Sequence, residues 1–438
     1  MDNSEVVFIS TCQVSPLPLH RMSNTAHLLD RYGKHPEVVR LSQHLNTQQS
    51  PRAQLTGLTG AQEAFVLAAT APDRLHLYVA NTKEEAAYRL NDLAGLVGDA
   101  AVLFFPDSFK RPTYFDDLNK GQILQRSELV NKVSQPHTAL RFLVTYPEAL
   151  FEKVVRPEVL AQNRIDISTG NKLDLDFIIE VLVEYGFERA DFVYEPGQFS
   201  IRGGIIDLFS YGNDLPYRVE LFGDEVETIR VFDPLTQLSK QNIARVSIVP
   251  NLNTRFRQDQ KVSLLQILPE KTVLWVRDFQ FLLDRLQHCF ERAEQFAEKV
   301  SALDVPELRE LFRDRAFLYP GDVLQDIQQR ALVFTERQGA DTTALFGSPA
   351  KFAFFSKPQP SFNKQFDLLI RHLHENKAGG YDTFIFSDNA RQLERLGHIF
   401  RDLKSETEWS PVQIALSEGF IDETLHIACL TDHQISSA

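Results

Sequence analysis

The sequence predicts an α/β protein with an inserted α+β domain and a small C-terminal α/β domain. Short apolar runs alternate with stretches of helical spacing near both ends of the chain, which is typical of a parallel sheet. After about residue 150 this alternation gives way to closely spaced strand-like runs separated by tight turns. A proline-rich and aromatic segment, Phe352–Phe362, precedes the last alternation. The predicted divisions are residues 1–150 and 235–345 for the two parts of the α/β lobe, 151–234 for the inserted domain, and 352–438 for the small domain.

The first part of the lobe is predicted from buried strands and one amphipathic helix. Residues 1–54 are polar and helical in character, apart from the proline-containing stretch Ser15–Pro18. Lys83–Leu96 has apolar residues at helical spacing. The predicted strands are Leu75–Ala80, Ala101–Phe105 and Leu140–Thr145. Fully apolar strands separated by helices indicate a sheet that is covered on both faces.

The inserted domain is predicted as one helix followed by a meander. Leu175–Tyr185 has the apolar spacing of a helix, and Gly186 is placed to end it. The predicted strands are Asp191–Tyr194, Phe199–Arg202, Ile205–Phe209, Tyr217–Phe222 and Val226–Phe232. The turn signals between them are Glu195–Gln198, Gly203-Gly204, Asn213–Pro216 and Gly223-Asp224.

The α/β pattern returns with a strand at Thr272–Val276 and a long helix over Asp278–Val300. Beyond the segment Phe352–Phe362, the small domain is predicted to contain two helices and three strands. These are the helices Phe366–Glu375 and Asn389–Leu403, and the strands Thr383–Ser387, Val412–Ala415 and Leu425–Leu430. The chain stops soon afterwards without a tail that looks like an ending, so we expect it to be a fragment of a longer protein.

Composition excludes several functional classes. The net charge of the 438 residues is −13, whereas a surface that binds nucleic-acid phosphates is normally basic. No apolar run reaches the ~18 residues that span a bilayer, and the first residues lack a basic signal-peptide region, so we expect a cytoplasmic protein. The three cysteines, Cys12, Cys289 and Cys429, form no metal-binding or redox motif. We predict no metal site, no cofactor and no catalytic residue.

One long segment carries a family resemblance. Tyr194–Asp233 reads YEPGQFSIRGGIIDLFSYGNDLPYRVELFGDEVETIRVFD. It resembles a segment shared by UvrB and bacterial transcription-repair coupling factors, in which a G-x-F-x-x-R-G-G-x-x-D-x-F element leads to a second element, R-x-E-x-F-x-D-E-x-E-x-I-R. The resemblance covers residues 55–300 well and implies a UvrB-like lobe. The last unit is similar to a small domain of coupling factors that UvrB lacks.

The segment Gln54–Phe65 occupies the place of the UvrB P-loop but departs from its pattern. A P-loop reads G-x-x-x-x-G-K-[ST], with a lysine for the β- and γ-phosphates and a hydroxyl for Mg²⁺. Here Gly57 fits the first position, but Gln62, Glu63 and Ala64 replace the second glycine, the lysine and the hydroxyl. After the strand Thr272–Val276, Arg277-Asp278 stands where an acidic pair is expected. We therefore predict a degenerate nucleotide loop that does not hold ATP.

The resemblance to coupling factors implies a module that binds the repair protein UvrA. The arginines that match UvrA-contacting positions are Arg189 and Arg202, while Ser200 stands where UvrB has a third arginine. We expect the Pro196-Gly197 turn to fold their strands together, so that both guanidiniums share one face. In this family RNA polymerase and DNA are bound by C-terminal domains that are absent here, and the full-length member is an ATP-dependent DNA translocase.

Two other functions remain open from the sequence. The first is a UvrB-like, nucleotide-dependent DNA helicase, against which the degenerate loop argues. The second is a DNA-binding element, which the net charge disfavours. UvrB inserts an aromatic hairpin into DNA, but the matching interval here, Pro106–Lys120, is short and has only Tyr114 and Phe115 as its central aromatics.

Overall fold

The computed structural model of the chain describes most of its residues. These are residues 19–47, 49–111, 114–133, 139–211, 213, 215–250, 258–300, 302, 308–309, 312, 317–403 and 407–436. Cys12, the stretch Ser15–Pro18 and part of the predicted turn Asn213–Pro216 lie outside them. Among the described residues, no helix is long and apolar enough to cross a membrane.

A seven-stranded parallel sheet forms the centre of the lobe, with the strand order β19-β1-β18-β17-β2-β6-β3. Its strands are β1 (Arg52–Thr56), β2 (His76–Val79), β3 (Val102–Phe104), β6 (Phe142–Thr145), β17 (Val273–Val276), β18 (Ala331–Phe334) and β19 (Ala350–Ala353). The apolar runs form these strands because helices cover both faces of the sheet. Since β2 pairs with β17, the chain on the two sides of the insertion forms one sheet.

Eleven helices among the described residues surround this sheet. They are α1 (Leu19–Gly33), α2 (Pro36–Thr47), α3 (Gln62–Ala69), α4 (Lys83–Val97), α5 (Lys120–Val133), α6 (Pro147–Leu150), α7 (Pro157–Gln162), α9 (Leu264–Ile267), α10 (Phe279–Val300), α11 (Pro320–Gln328) and α12 (Ala340–Phe346). Helix α4 illustrates how the sequence sets the ends of a helix. The Thr82 side chain accepts a hydrogen bond from the Glu85 N–H at its start, and Gly98 follows its last residue with a φ of +88°.

The interval Pro106–Lys120 forms a short hairpin. Strands β4 (Phe109–Arg111) and β5 (Tyr114–Leu118) pair antiparallel. Phe115 is buried against Phe109, with ring centroids 5.0 Å apart, while Tyr114 is exposed. The central phenylalanine of the hairpin is thus part of the protein core.

The inserted unit is a six-stranded sheet with the order β14-β13-β12-β11-β10-β9, separate from the central sheet. Its strands are β9 (Glu188–Arg189), β10 (Gln198–Arg202), β11 (Ile205–Leu208), β12 (Tyr217–Phe222), β13 (Glu225–Phe232) and β14 (Ser239–Ile243). Helix α8 (Leu175–Glu184) covers one face, where its Ile178 and Leu182 share a core with Phe199, Val219 and Ile229. Gly186 follows this helix with a φ of +82°, as the sequence predicted.

Two predictions for this unit need correction. Asp191–Tyr194 is not a strand: only Val193 of this segment is buried, and side chains rather than a strand ladder hold its backbone. Strand pairing also continues past residue 234, the predicted end of the domain, because β14 pairs with β13. Two further pairs lie at its base, β15 (Arg245–Ile248) with β8 (Ile165–Ser168) and β16 (Lys261–Val262) with β7 (Val154–Val155).

The C-terminal unit is a mixed five-stranded sheet with the order β20-β23-β24-β21-β22. Its elements are β20 (Ser356–Pro358), α13 (Phe366–Ala378), β21 (Asp382–Phe386), α14 (Ala390–Asp402), β22 (Ser410–Val412), β23 (Phe420–Asp422), β24 (Ile427–Thr431) and α15 (Asp432–Ser436). The predicted boundary segment divides between the two sheets, since Phe352 lies in β19 and Pro358 in β20. Pro358 is tolerated there because β20 is an edge strand. Neither β20 nor β23 was predicted from the sequence.

The C-terminal unit packs directly on the lobe. Phe386 and Phe420 belong to the same buried cluster as Phe65 of α3, and both rings contact the Phe65 ring edge-on. Helix α1 adds polar contacts, with Arg31 paired to Asp382 at 2.5 Å. These contacts hold the C-terminal unit against α3, which begins after the loop that follows β1.

Candidate functional site

The loop that the sequence predicts to be a degenerate nucleotide loop leads from β1 into α3 at the carboxyl edge of the parallel sheet, which is the strand–loop–helix path of a P-loop. Gly57 has a φ of +79°, and a Cβ at this position would collide with the carbonyl oxygen of Phe354. The Phe354 N–H donates to the carbonyl of Thr56 at 2.8 Å. The loop is therefore covered by the chain segment that connects the two sheets.

Polar groups at the start of α3 bind the C-terminal unit. The Gln62 side chain is fully buried, and its Nε2 donates to Asp422 Oδ2 at 2.8 Å. Asp422 also accepts a hydrogen bond from the Tyr32 hydroxyl at 2.9 Å. The backbone N–H of Ala61 donates to the carbonyl of Glu418 at 3.1 Å. The groups that would face a phosphate in a working P-loop thus have partners within the chain.

Glu63, at the lysine position, forms a buried ion pair. Its Oε2 lies 2.6 Å from the guanidinium of Arg89 on α4, and both side chains are about one-eighth exposed. Burial alone lowers the pKa of Arg89, but the charges of Glu63, Tyr78 and Asp92 outweigh it, so that this pKa is raised. Arg89 therefore stays protonated and keeps its ion pair with Glu63.

A second carboxylate, Asp92, links the Glu63–Arg89 ion pair to the C-terminal unit. Asp92 lies 3.4 Å from Arg89 and accepts hydrogen bonds from Ser417, from its N–H at 2.7 Å and its hydroxyl at 2.6 Å. Burial raises the pKa of Asp92, against the opposing effects of Arg89 and Ser417. The ion pairs at the loop are thus continuous with the contact between the two units.

The first position of the expected acidic pair also carries the opposite charge. Arg277 directly follows β17 and pairs with Glu336 at 2.5 Å and with Glu85 at 3.4 Å. Together with Glu63 and Arg89 it lines a cleft of about 780 Å³ between the lobe and the C-terminal unit. Five carboxylates, two arginines and one histidine line this cleft, so that its charge opposes a polyphosphate.

The second candidate region is the outer face of the six-stranded sheet, opposite α8. Arg202 at the end of β10 donates to Asp207, which is fully buried. Asp207 also accepts two hydrogen bonds from Arg218, at 2.7 and 2.8 Å. The Arg202 guanidinium lies over the Phe192 ring, 5.2 Å from its centroid. Arg202 is thus held in place by Asp207 and Phe192, and about two-fifths of its side chain is exposed.

Arg189 lies in β9, at the edge of the same sheet. Strand β9 pairs parallel with β10, so that Arg189 stands beside Phe199. It is exposed and forms no ion pair with any residue in the described part of the chain. Arg189 and Arg202 border one shallow depression of about 630 Å³, together with Phe192. The strands that carry the two arginines, β9 and β10, pair parallel and are connected by residues 190–197, which include the Pro196-Gly197 turn.

Ser200, at the position of a third UvrB arginine, is buried. Its hydroxyl donates to the carbonyl of Asp191 at 3.0 Å and so holds the loop that crosses this face. The loop exposes Phe192 and Tyr194, which are 46% and 50% accessible. Both aromatics were predicted to lie in a strand, and neither was predicted to be a site residue. The available signal was their position between the two arginines.

The cysteines and the metal-ligating residue types form no further site in the described residues. Cys289 and Cys429 are both buried, and burial raises the pKa of each thiol. No group of three histidine, cysteine, aspartate or glutamate side chains in these ranges is arranged to hold a metal ion.

The chain is similar to known repair proteins. Residues 165–253 match the UvrB interaction domain. The transcription-repair-coupling factor of Bacillus subtilis is 28% identical over 420 residues, which cover 83% of this chain and 35% of that protein. The Myxococcus xanthus factor is 31% identical, with 45% and 17% covered. UvrABC system protein B of Nitratidesulfovibrio vulgaris (strain DSM 19637 / Miyazaki F) is 27% identical, with 45% and 31% covered.

These findings confirm the resemblance drawn from the sequence. The chain has homologues among transcription-repair-coupling factors of several bacteria and among UvrB proteins. It spans about a third or less of the length of the relatives described above.

Proposed function

We propose that this chain is the UvrA-recruiting module of a transcription-repair coupling factor and acts in transcription-coupled nucleotide excision repair. The observation that carries the proposal is the pair Arg189 and Arg202 at one depression of the sheet. Both lie within the segment that matches the UvrB interaction domain. Contacts with RNA polymerase and DNA are assigned to parts of the longer relatives that this chain does not cover.

The chemistry of the two arginines supports binding of a protein partner. A guanidinium engages a carboxylate through two parallel hydrogen bonds, and arginine is enriched among residues that dominate interface affinity. Arg202 is already oriented by Asp207, so that little side-chain entropy is lost when it binds. Arg189 is exposed and supplies the second cation of the depression.

The proposal includes a nucleotide site that does not function. The lysine position carries Glu63 in an ion pair with Arg89, and the loop N–H of Ala61 binds Glu418. ATP would have to break these contacts and approach five carboxylates. We expect calorimetry with ATP·Mg²⁺ to give no binding heat at millimolar concentration and expect no ATP hydrolysis.

The test of recruitment is a titration of purified UvrA with the chain and with the double variant Arg189→Ala/Arg202→Ala. Removal of one arginine anchor typically weakens binding about 30-fold, and we expect at least this loss. Arg371→Ala is the matched control, because Arg371 is an exposed arginine on α13 of the C-terminal unit. Equal affinity of parent and double variant would refute the site, and no binding by the parent would refute the function.

The alternative is a UvrB-like, nucleotide-dependent helicase. UvrB proteins are among the homologues, which is the observation in its favour. Binding of ATP in the cleft beside Glu63 would support this function. A third function, direct DNA binding, would require salt-dependent affinity of the chain for duplex DNA.

A further inference from the structure

The loop Asp191–Tyr194 presents two aromatic side chains beside the proposed arginine site. Phe192 is 46% and Tyr194 50% exposed, and their ring centroids are 6.4 Å apart. Phe192 lines the same depression as Arg189 and Arg202. Aromatic rings next to arginines are the combination that most often dominates the affinity of protein interfaces.

The loop is held in place by hydrogen bonds at both ends. At its start, the buried Ser200 hydroxyl donates to the Asp191 carbonyl at 3.0 Å. At its end, the side-chain oxygen of Gln198 accepts from the N–H groups of Tyr194 and Glu195, at 2.8 and 3.0 Å. An exposed ring on an anchored loop binds without the entropy cost of ordering that loop.

The middle of the loop is fixed as well. Val193 is fully buried against Phe209 and Phe232. Its carbonyl accepts a hydrogen bond from the Gln237 side chain at 3.1 Å. With Val193 pointing inward, the neighbouring Phe192 and Tyr194 point outward. Their exposure thus follows from the packing of the loop.

We propose that Phe192 is a direct contact residue for UvrA, so that the partner site is an arginine–aromatic patch formed by Arg189, Phe192, Tyr194 and Arg202. This inference rests on the proposed function and adds the residue that supplies apolar contact. Ser200 anchors the loop where UvrB has an arginine, and Phe192 replaces a charged contact by an apolar one.

The charges around the patch favour a protein over a nucleic acid. Asp191 lines the depression with the two arginines, and the exposed Glu188 and Glu195 lie close to it along the chain. Three acids beside two arginines do not form a surface for phosphates. The patch fits a protein surface that offers an apolar pocket for the Phe192 ring next to a carboxylate.

The experiment measures UvrA affinity for Phe192→Ala, Phe192→Tyr and the control Phe177→Ala. Phe177 is 58% exposed on α8, which covers the opposite face of the sheet. We expect Phe192→Ala to weaken binding at least about 10-fold, and Phe192→Tyr and Phe177→Ala to bind like the parent. The thermal unfolding midpoint of Phe192→Ala should equal that of the parent, because the ring is half exposed.

A second arm separates contact from positioning, since Phe192 also lies under Arg202. In an Arg202→Ala background, Phe192→Ala should weaken UvrA binding further. No further loss there would overturn the contact role, because Phe192 would then act only through Arg202. If Phe192→Ala binds UvrA as tightly as the parent while the arginine variants bind it more weakly, this inference is overturned and the recruitment function stands. No binding by the parent would end both.

Discussion

Glu63→Lys restores the lysine of a P-loop in sequence, and we predict that it destabilises the lobe without restoring nucleotide binding. The new ammonium would stand beside Arg89, which Glu63 now contacts at 2.6 Å. Removing one partner of a buried pair typically costs about 3–5 kcal/mol, because the other charge is left unpaired. We expect a loss of this size in the free energy of unfolding.

A graded series separates charge from shape. Glu63→Gln keeps the size of the side chain and one hydrogen-bond acceptor, and Asp92 still lies 3.4 Å from Arg89. We expect it to cost about 1–3 kcal/mol, the range for a lost buried hydrogen-bond partner. Glu294→Lys is the matched control: Glu294 is exposed on α10, and surface substitutions usually stay within about 0.5 kcal/mol.

The assay is urea unfolding followed by tryptophan fluorescence in a Trp409→Phe background. The chain has two tryptophans, so the signal then comes from Trp275, which is fully buried in the lobe. Calorimetry with ATP·Mg²⁺ on the same Glu63→Lys protein measures nucleotide binding. A Glu63→Lys lobe as stable as the parent would refute the importance of the ion pair. Binding of ATP by this variant would refute the degenerate site.

Three further predictions concern buried polar groups. His76 accepts a hydrogen bond from Trp275 on Nδ1 and is neutral: burial lowers its pKa from 6.5 to about 4. The stability that neutral His76 contributes is therefore present above pH 6.5 and is lost as pH falls towards 4. At about 1.4 kcal/mol per pKa unit, the free energy of unfolding of the parent should fall by about 3 kcal/mol more than that of His76→Gln over this range, as measured by unfolding titrations. Ser200→Arg, which copies UvrB, should weaken UvrA binding at least about 10-fold in a titration, because the buried anchor of the loop is lost; stronger binding would contradict this. Asp207→Asn should weaken UvrA binding in the parent but not in an Arg202→Ala background, since Asp207 acts by orienting Arg202; equal losses in both would indicate a purely structural role.

The sequence predicted four of the seven strands of the central sheet, β2, β3, β6 and β17, because each contains a continuous apolar run, whereas β1, β18 and β19 were not predicted. His76–Val79 and Val273–Val276 are buried at every position. Strand β14 was missed for the opposite reason. Ser239–Ile243 is exposed at nearly every position, so that neither an apolar run nor an alternation identifies it. Its pairing with β13 depends on backbone hydrogen bonds, which the side-chain pattern does not reveal.

The segment Asp191–Tyr194 shows where local preference fails. Phenylalanine, valine and tyrosine favour strands, and the segment was predicted to be one. In the structure, contacts made by Ser200 and Gln237 hold it as a loop. These partners lie 9 and 44 residues away from their acceptors. Local sequence does not encode such tertiary bonds, and for that reason the loop conformation that exposes the two aromatics could not be predicted.

The meaning of the departures from the P-loop pattern could also be predicted only in part. The sequence predicts that Gln62 and Glu63 do not suit ATP, but it does not reveal which contacts these side chains make instead. Gln62 binds Asp422 across 360 residues of chain, and Glu63 pairs with Arg89. The loop retains Gly57 at a positive φ because Phe354 approaches it closely. The loop and the start of α3 thus form part of the surface on which the C-terminal unit packs, and we expect a change that favours nucleotide at this loop to act against that packing.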